Sequence, residues 1–128
     1  MGILSRSIPE KAVTVFPSSS SCERPSLSCV MNGILAGCGG EQLFGPAYGE
    51  IKRMYVRPQF RGLGLGKLML YHLADYARHQ GVAVLRLETG LYQPEAIGLY
   101  ERCGFQRIPP FGAYQADPLS VFYEKRLT

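Results

Sequence analysis

The sequence predicts an α+β (mixed α/β) domain, with one central mixed sheet, an antiparallel N-terminal meander and helices packed on the sheet. Three observations carry this. Asn32-Gly33 stands between two apolar runs, and Asn-Gly supplies the two positive-φ residues of a type I′ hairpin turn. A glycine-rich string, Arg61-Gly62-Leu63-Gly64-Leu65-Gly66-Lys67, joins a strand-like run to an amphipathic helix. A further apolar run, Val82–Thr89, follows that helix, which makes it parallel to the strand before the helix.

The elements follow in order. Ala12–Phe16 alternates as a short strand, and the proline-bounded, serine-rich stretch from Pro17 to Pro25 reads as loop. Leu27–Met31 and Ile34–Cys38 are the hairpin arms; a second turn at Gly45-Pro46-Ala47 leads into a strand from about Gly49 to Arg57. Leu65, Leu68, Met69, Leu73, Tyr76 and Ala77 keep the 3.6-residue spacing of a helix lying on a sheet, and Gly81 is its natural terminator. Pro94 opens a short second helix, with Glu95 near its start and Arg102 near its end complementing the dipole, and Gly104 stops it. Phe105–Ile108 and Val121–Arg126 are closing strands, joined by a long link rich in Pro, Gly and aromatics.

At 128 residues the chain is expected to form a single domain over 1–128, with 1–26 an atypical, partly flexible N-terminal segment. Mean hydropathy is −0.02, and no apolar run approaches the roughly 20 residues of a membrane span. Met1–Arg6 lacks the pattern of a secretory signal, so the expectation is a cytoplasmic protein without membrane partners. Cys22, Cys29, Cys38 and Cys103 show neither CxxC spacing nor a paired histidine set, which predicts idle thiols and no metal. His72 and His79, two turns apart on the long helix, are expected to face solvent. The net charge of +4 includes a cluster at Lys52, Arg53, Arg57, Arg61 and Lys67. No base-stacking aromatic series or helix-turn-helix pattern accompanies it, so an anionic small ligand is the expected partner rather than nucleic acid.

The glycine string is the natural place for that anion. Backbone N–H groups free of Cβ atoms, at the positive end of a helix dipole, cradle phosphate. A Walker A loop fails, because position 61 is arginine and Leu68 cannot ligate magnesium; the dinucleotide fingerprint fails at Lys67 or Met69. What remains is Arg/Gln-x-x-Gly-x-Gly/Ala, met by Arg61, Gly64 and Gly66; a turn without chemical role is the alternative this string alone leaves open. A second string, Gln93-Pro94-Glu95-Ala96-Ile97-Gly98-Leu99-Tyr100-Glu101-Arg102-Cys103-Gly104-Phe105, follows the next strand. In their order and spacing the two resemble the signatures of the GNAT superfamily of acetyl-CoA-dependent N-acetyltransferases, with glutamine at Gln93 in place of asparagine. The resemblance covers roughly Leu27 to Leu127.

The resemblance implies the acyl-CoA N-acyltransferase architecture and transfer of an acetyl group from acetyl-CoA to a primary amine by direct attack in a ternary complex. It implies that Arg61, Gly62, Leu63, Gly64, Leu65, Gly66 and Lys67 hold the pyrophosphate. Pantetheine would lie along Met54, Tyr55 and Val56 like an added strand, where a backbone N–H polarises the thioester carbonyl. Gln93 would take the asparagine's contact, and Tyr100 would donate a proton to the departing sulfur. Glu50, eleven residues before Arg61, matches the glutamate base of histone-type members; an exposed residue pairing with Lys52 or Arg53 is its alternative. Tyr92, Tyr114, Asp117 and Ser120 are placed near the acceptor by loop membership alone, and structural roles are the expectation for them. The family's two helices between its first strands have no room in the interval Pro17–Ser26. A homodimer is therefore expected, with the partner or a flexible Ser18–Ser21 segment covering part of the acceptor side. A monomer with a wide, open site is the competing reading, and a catalytically weak acyl-CoA-binding module is the alternative function.

Overall fold

The computed structural model describes residues 13–17 and 23–127. Seven strands and two helices run β1 (Val13–Pro17), β2 (Ser26–Met31), β3 (Ile34–Phe44), β4 (Tyr48–Val56), α1 (Leu65–His79), β5 (Val84–Gly90), α2 (Pro94–Arg102), β6 (Gln106–Ile108) and β7 (Ser120–Arg126). They form one sheet in the order β1-β2-β3-β4-β5-β7-β6. Only β4 and β5 pair in parallel, across the α1 crossover; the other pairs are antiparallel. This is the mixed α+β architecture the sequence predicts. The expected flexible stretch at 18–21 lies outside the described residues.

Local chemistry sets the boundaries. Asn32 and Gly33 have φ of 53° and 80°, as a type I′ turn needs. Both helices end in the same hydrogen-bonded cap. After α1, the N–H of Gly81 donates to the Arg78 carbonyl and that of Val82 to Ala77; after α2, Gly104 donates to Glu101 and Phe105 to Tyr100. This is the Schellman arrangement, with the glycine in the left-handed region (φ 85° and 92°). β3 runs farther than its sequence suggests. Glycines at 37, 39 and 40 weaken the strand signal, but β4 pairs along its length, and Glu41 and Leu43 donate to the carbonyls of Pro25 and Glu23.

One face of the sheet carries the core. Ile51, Leu85, Leu87, Val121 and Tyr123 are buried there together with Leu65, Met69, Leu73 and Ala77 of α1 and Tyr100 and Phe105 from the α2 end. Each buried Leu or Phe contributes roughly 1.5–3 kcal/mol relative to exposure. The opposite face presents Tyr48, Glu50, Arg86, Phe122 and Glu124, and the β6–β7 connection folds over it. Phe111 and Tyr114 of that connection make edge-to-face contacts with Phe122, with centroids 5.8 and 5.4 Å apart.

Among the described residues no helix is long and apolar enough to cross a membrane, and no three His, Cys, Asp or Glu side chains gather as a metal would require. His72 departs from expectation. It is half-buried, because the β1–β2 edge wraps that flank of α1, and its Nε2 is sealed without a partner. Burial pulls its pKa down, against an opposing pull from Asp75. His79 does face solvent, with Nδ1 at 2.8 Å from the Asp75 carbonyl.

Glu41, which no sequence pattern singles out, is 3% exposed, and neither carboxylate oxygen has a partner. Burial pushes its pKa up from 4.5 to about 8. The folded protein therefore holds a proton that the unfolded chain releases near pH 4.5. The stability this contributes is fully present below that pH, is lost progressively as pH rises to about 8, and stays lost above. The complete loss is on the order of a few kcal/mol. Glu41→Gln carries no titrating group, so denaturant unfolding between pH 5 and 8.5 should show the wild type losing stability relative to the variant across this window. Parallel curves would clear Glu41 of the effect.

Candidate active site

The site begins with a mismatch between strands. On β3, Gly40 faces Arg53 and Glu41 faces Ile51, so Lys52 of β4 has no opposite residue. Such a bulge bends and twists the strand that carries it. β4 pairs with β5 only at Gly49↔Leu85, Glu50↔Arg86 and Ile51↔Leu87. Beyond the bulge, β4 continues to Val56 against β3, and β5 continues to Gly90 against β7. The facing edges part, leaving backbone groups of Met54–Val56 without a strand partner on that side. A cleft of about 710 Å³ lies beside the freed end of β4, between it, the glycine loop and α2.

The glycine loop forms one end of the cleft. A 3-10 turn at Pro58–Phe60 follows β4. Arg61 folds back so that Nε donates to the Val56 carbonyl at 2.8 Å, with its guanidinium 5.6 Å from the Tyr55 ring centre. Arg61 thus fastens the loop to the end of β4. Gly64 is the residue before α1, with φ 84°, a conformation that glycine alone adopts at no steric cost. The first intrahelical bond is Leu68 N–H to the Gly64 carbonyl, so the N–H groups of Leu65, Gly66 and Lys67 have no helical acceptor. No side chain caps them and no acid stands in the first turn. Gly66 answers a different need: a Cβ there would stand 2.9 Å from Leu99 Cδ2, so its absence lets α1 approach α2.

α2 supplies the opposite wall. Gln93 precedes its first residue and makes no side-chain cap, leaving its amide to the cleft. Tyr100 sits in the last turn of the helix. The C-terminal cap that joins Phe105 N–H to the Tyr100 carbonyl also sets the two rings edge to face, 5.6 Å apart. Burial, and secondarily the neighbouring Cys103, push the Tyr100 pKa up to about 12. Its phenol is a retained proton donor at neutral pH. Tyr123 donates to Glu101 at 2.8 Å, and Lys125 donates to the Cys103 carbonyl at 2.6 Å, tying α2 to β7.

The structure gathers Met54, Tyr55, Val56, Arg61, Gly62, Gly64, Leu65, Gly66, Lys67, Gln93 and Tyr100 around this one cleft. Leu63 is outside the lining and exposed. Phe60, Leu99, Arg102 and Cys103 also line it, none of which the sequence assigned to a site. Leu99 and Cys103 fall within the second string, one before Tyr100 and three after, so the string's own periodicity held that signal.

Glu50 is not part of the lining. It is 3% exposed, against the exposed strand residue considered from sequence, although the pairing with Lys52 considered with it is present. The Tyr114 hydroxyl donates to its Oε2 at 2.5 Å, and Lys52 Nζ lies 3.4 Å from the same oxygen. Burial first, and the Glu50 hydrogen bond second, hold the Tyr114 proton far above the usual phenol range. Around this pair, Ser120 donates to Glu88 at 2.6 Å, and Arg86 donates to Glu124 at 3.0 Å while lying over the Tyr48 ring. Asp117 caps its own turn by accepting from Leu119 N–H, and Tyr92 projects into solvent.

Comparison with known proteins accords with this geometry. The Acetyltransferase (GNAT) family profile matches residues 7–105. The chain is 45% identical over 97 residues to the IAA acetyltransferase of Azospirillum brasilense, covering 75% of this chain and 63% of that protein. It is 41% identical over 96 residues to the uncharacterized N-acetyltransferase YsnE of Bacillus subtilis (strain 168), covering 73% and 63%. The chain thus spans less than two thirds of the length of these curated relatives. A crystal structure of a protein assigned as an acyl-CoA N-acyltransferase from Klebsiella pneumoniae superimposes with a TM-score of 0.83 at 34% identity, covering 93% of this chain and 99% of that one. A mixed sheet parted beside a glycine loop, a tyrosine held by a helix cap and a family match across most of the sequence lead to one conclusion: the chain belongs to the acetyltransferase (GNAT) family.

Proposed function

We propose that this chain transfers an acetyl group from acetyl-CoA to a primary amine by direct attack within a ternary complex. The observation that carries this reading is the cleft beside the freed end of β4, with unclaimed helix N–H donors at one end and Tyr100 in its wall. Pyrophosphate fits the donors of Leu65, Gly66 and Lys67, with Lys67 adding charge at the rim. Pantetheine fits along Met54–Val56, taking the backbone bonds that β5 leaves unmade, with Gln93 facing it. A β4 N–H then polarises the thioester carbonyl. The ammonium loses a proton to Glu50, and the amine nitrogen attacks the carbonyl carbon. The C–S bond breaks as Tyr100 protonates the departing sulfur, and the second proton, shed by the acylated nitrogen to water, restores Tyr100.

A catalytically weak acyl-CoA-binding module is the second reading. Its support is that residues 18–25 alone separate β1 from β2, leaving the acceptor side without the family's usual wall. Release of free thiol from acetyl-CoA with spermidine, a lysine peptide, a peptide with a free N-terminus and benzylamine separates the two; IAA joins the panel on account of the relative's name. A homodimer belongs to the first reading, since β1 is an edge of the described sheet and a second copy there would supply cover. Light scattering at micromolar concentration should give twice 14.2 kDa; a strict monomer would remove the dimer.

CoA and acetyl-CoA should raise the thermal midpoint in proportion to the logarithm of their concentration, whereas ATP and NAD should not. Equal stabilisation by ATP would overturn the assignment of the cleft. Tyr100→Phe keeps the ring against Phe105 and removes only the donor. It should lower kcat by about 10²–10⁴-fold with little change in CoA affinity. Because the phenol is pushed up to about 12, the defect should persist undiminished from pH 6 to 10. An unchanged rate would leave Tyr100 a packing residue.

A further inference from the structure

We propose that Tyr114 is the group that meets the acceptor amine, relaying its proton through the phenolic oxygen to Glu50. The inference rests on the reading of Glu50 as the base. A base must reach the proton it removes, yet the Glu50 side chain is 4% exposed. Tyr114 is 37% exposed, and its hydroxyl is hydrogen-bonded to Glu50 Oε2. Tyr114 therefore reaches the surface of this face of the sheet while its hydroxyl proton already points at the carboxylate.

The phenol is fixed in that position. Tyr114 N–H donates to the Phe111 carbonyl in a tight turn, and its ring is held edge to face by Phe111 at 5.2 Å and Phe122 at 5.4 Å. The step then balances without a phenolate. The ammonium N–H bond breaks as an O–H bond forms at the Tyr114 oxygen, and the original Tyr114 O–H bond breaks as one forms at Glu50 Oε2. Tyrosine is regenerated, Glu50 carries the proton, and the amine is free to attack. After transfer Glu50 returns the proton to water by the reverse route. The charged and titratable groups facing this pair are Lys52 and Tyr48 on β4, Arg86 and Glu88 on β5, and Glu124 on β7. Burial, the Glu50 hydrogen bond and the Glu88 charge all oppose loss of the Tyr114 proton, which favours concerted transfer over a discrete phenolate.

The test compares Tyr114→Phe, Glu50→Gln and the double variant, using acetyl-CoA and the fastest amine of the panel above. Tyr114→Phe keeps the aromatic contacts and should fold. The relay requires it to lower kcat/KM for the amine at least tenfold at pH 7, with the defect shrinking as pH approaches the amine's pKa and KM for acetyl-CoA unchanged. The double variant should be no slower than Glu50→Gln, because two breaks in one route cost no more than one. Additive losses, or a wild-type rate in Tyr114→Phe beside a slow Glu50→Gln, would overturn the relay alone. A wild-type rate in Glu50→Gln would overturn the base and the relay together. Carbon-13 spectroscopy of the glutamate carboxyls needs no acceptor: the Glu50 carboxyl resonance should move in Tyr114→Phe at fixed pH, and an unmoved resonance would show that the hydrogen bond does not exist in solution.

Discussion

The unmatched Lys52 in β4 is the constraint on which the site depends. If β4 paired with β5 along its whole length, Met54–Val56 would spend their backbone hydrogen bonds inside the sheet and no cleft would exist. Because the strand bends after three paired rungs, the sheet keeps its continuity through Gly49–Ile51 while opening beyond. The cost of unmade backbone bonds is confined to the cleft, where water or a ligand can satisfy them. Arg61 supports this opening by occupying the Val56 carbonyl, so the strand end is tied down before the glycine loop begins.

The sheet also divides the chemistry between its faces. α1 and α2 pack on the apolar side and bring the helix N–H donors and Tyr100 to the cleft. The other side holds Glu50 beneath Tyr114, among Arg86, Glu88 and Glu124, closed by Phe111 and Phe122. In the proposed reaction the leaving sulfur is served from one side and the attacking amine from the other. Reactants approaching a carbonyl from opposite sides need that separation, and adjacent residues of a strand provide it through their alternation.

Features fixed by local backbone chemistry were legible in the sequence. Asn32-Gly33, Gly81, Pro94 and Gly104 mark their turns and caps because each position demands a φ or a missing N–H that few residues supply. The cleft residues were legible for a related reason, since both strings carry their spacing within a single loop or helix. Pairing was not. The bulge at Lys52 is a relation between β3 and β4, and no window around residue 52 contains it. The extent of β3 was hidden behind its glycines. The contact between Glu50 and Tyr114 joins residues 64 apart, and Glu41 and His72 owe their burial to elements that pack from elsewhere in the chain.

The two caps of α2 also decide where this fold can accept new residues. Pro94 fixes where the helix starts and Gly104 fixes where it stops, and Tyr100 is held by the second of these through Phe105. One residue inserted between Pro94 and Tyr100 would turn the rest of the helix by about 100° relative to its start. Either the tyrosine or Gln93 would then leave the cleft wall. The connection between β1 and β2 carries no such penalty, since its described residues meet β3, through Glu23 and Pro25, and none of the cleft lining. Length variation is therefore expected at that connection and excluded within α2, so the chain has one side open to elaboration and another whose residue count is part of its chemistry.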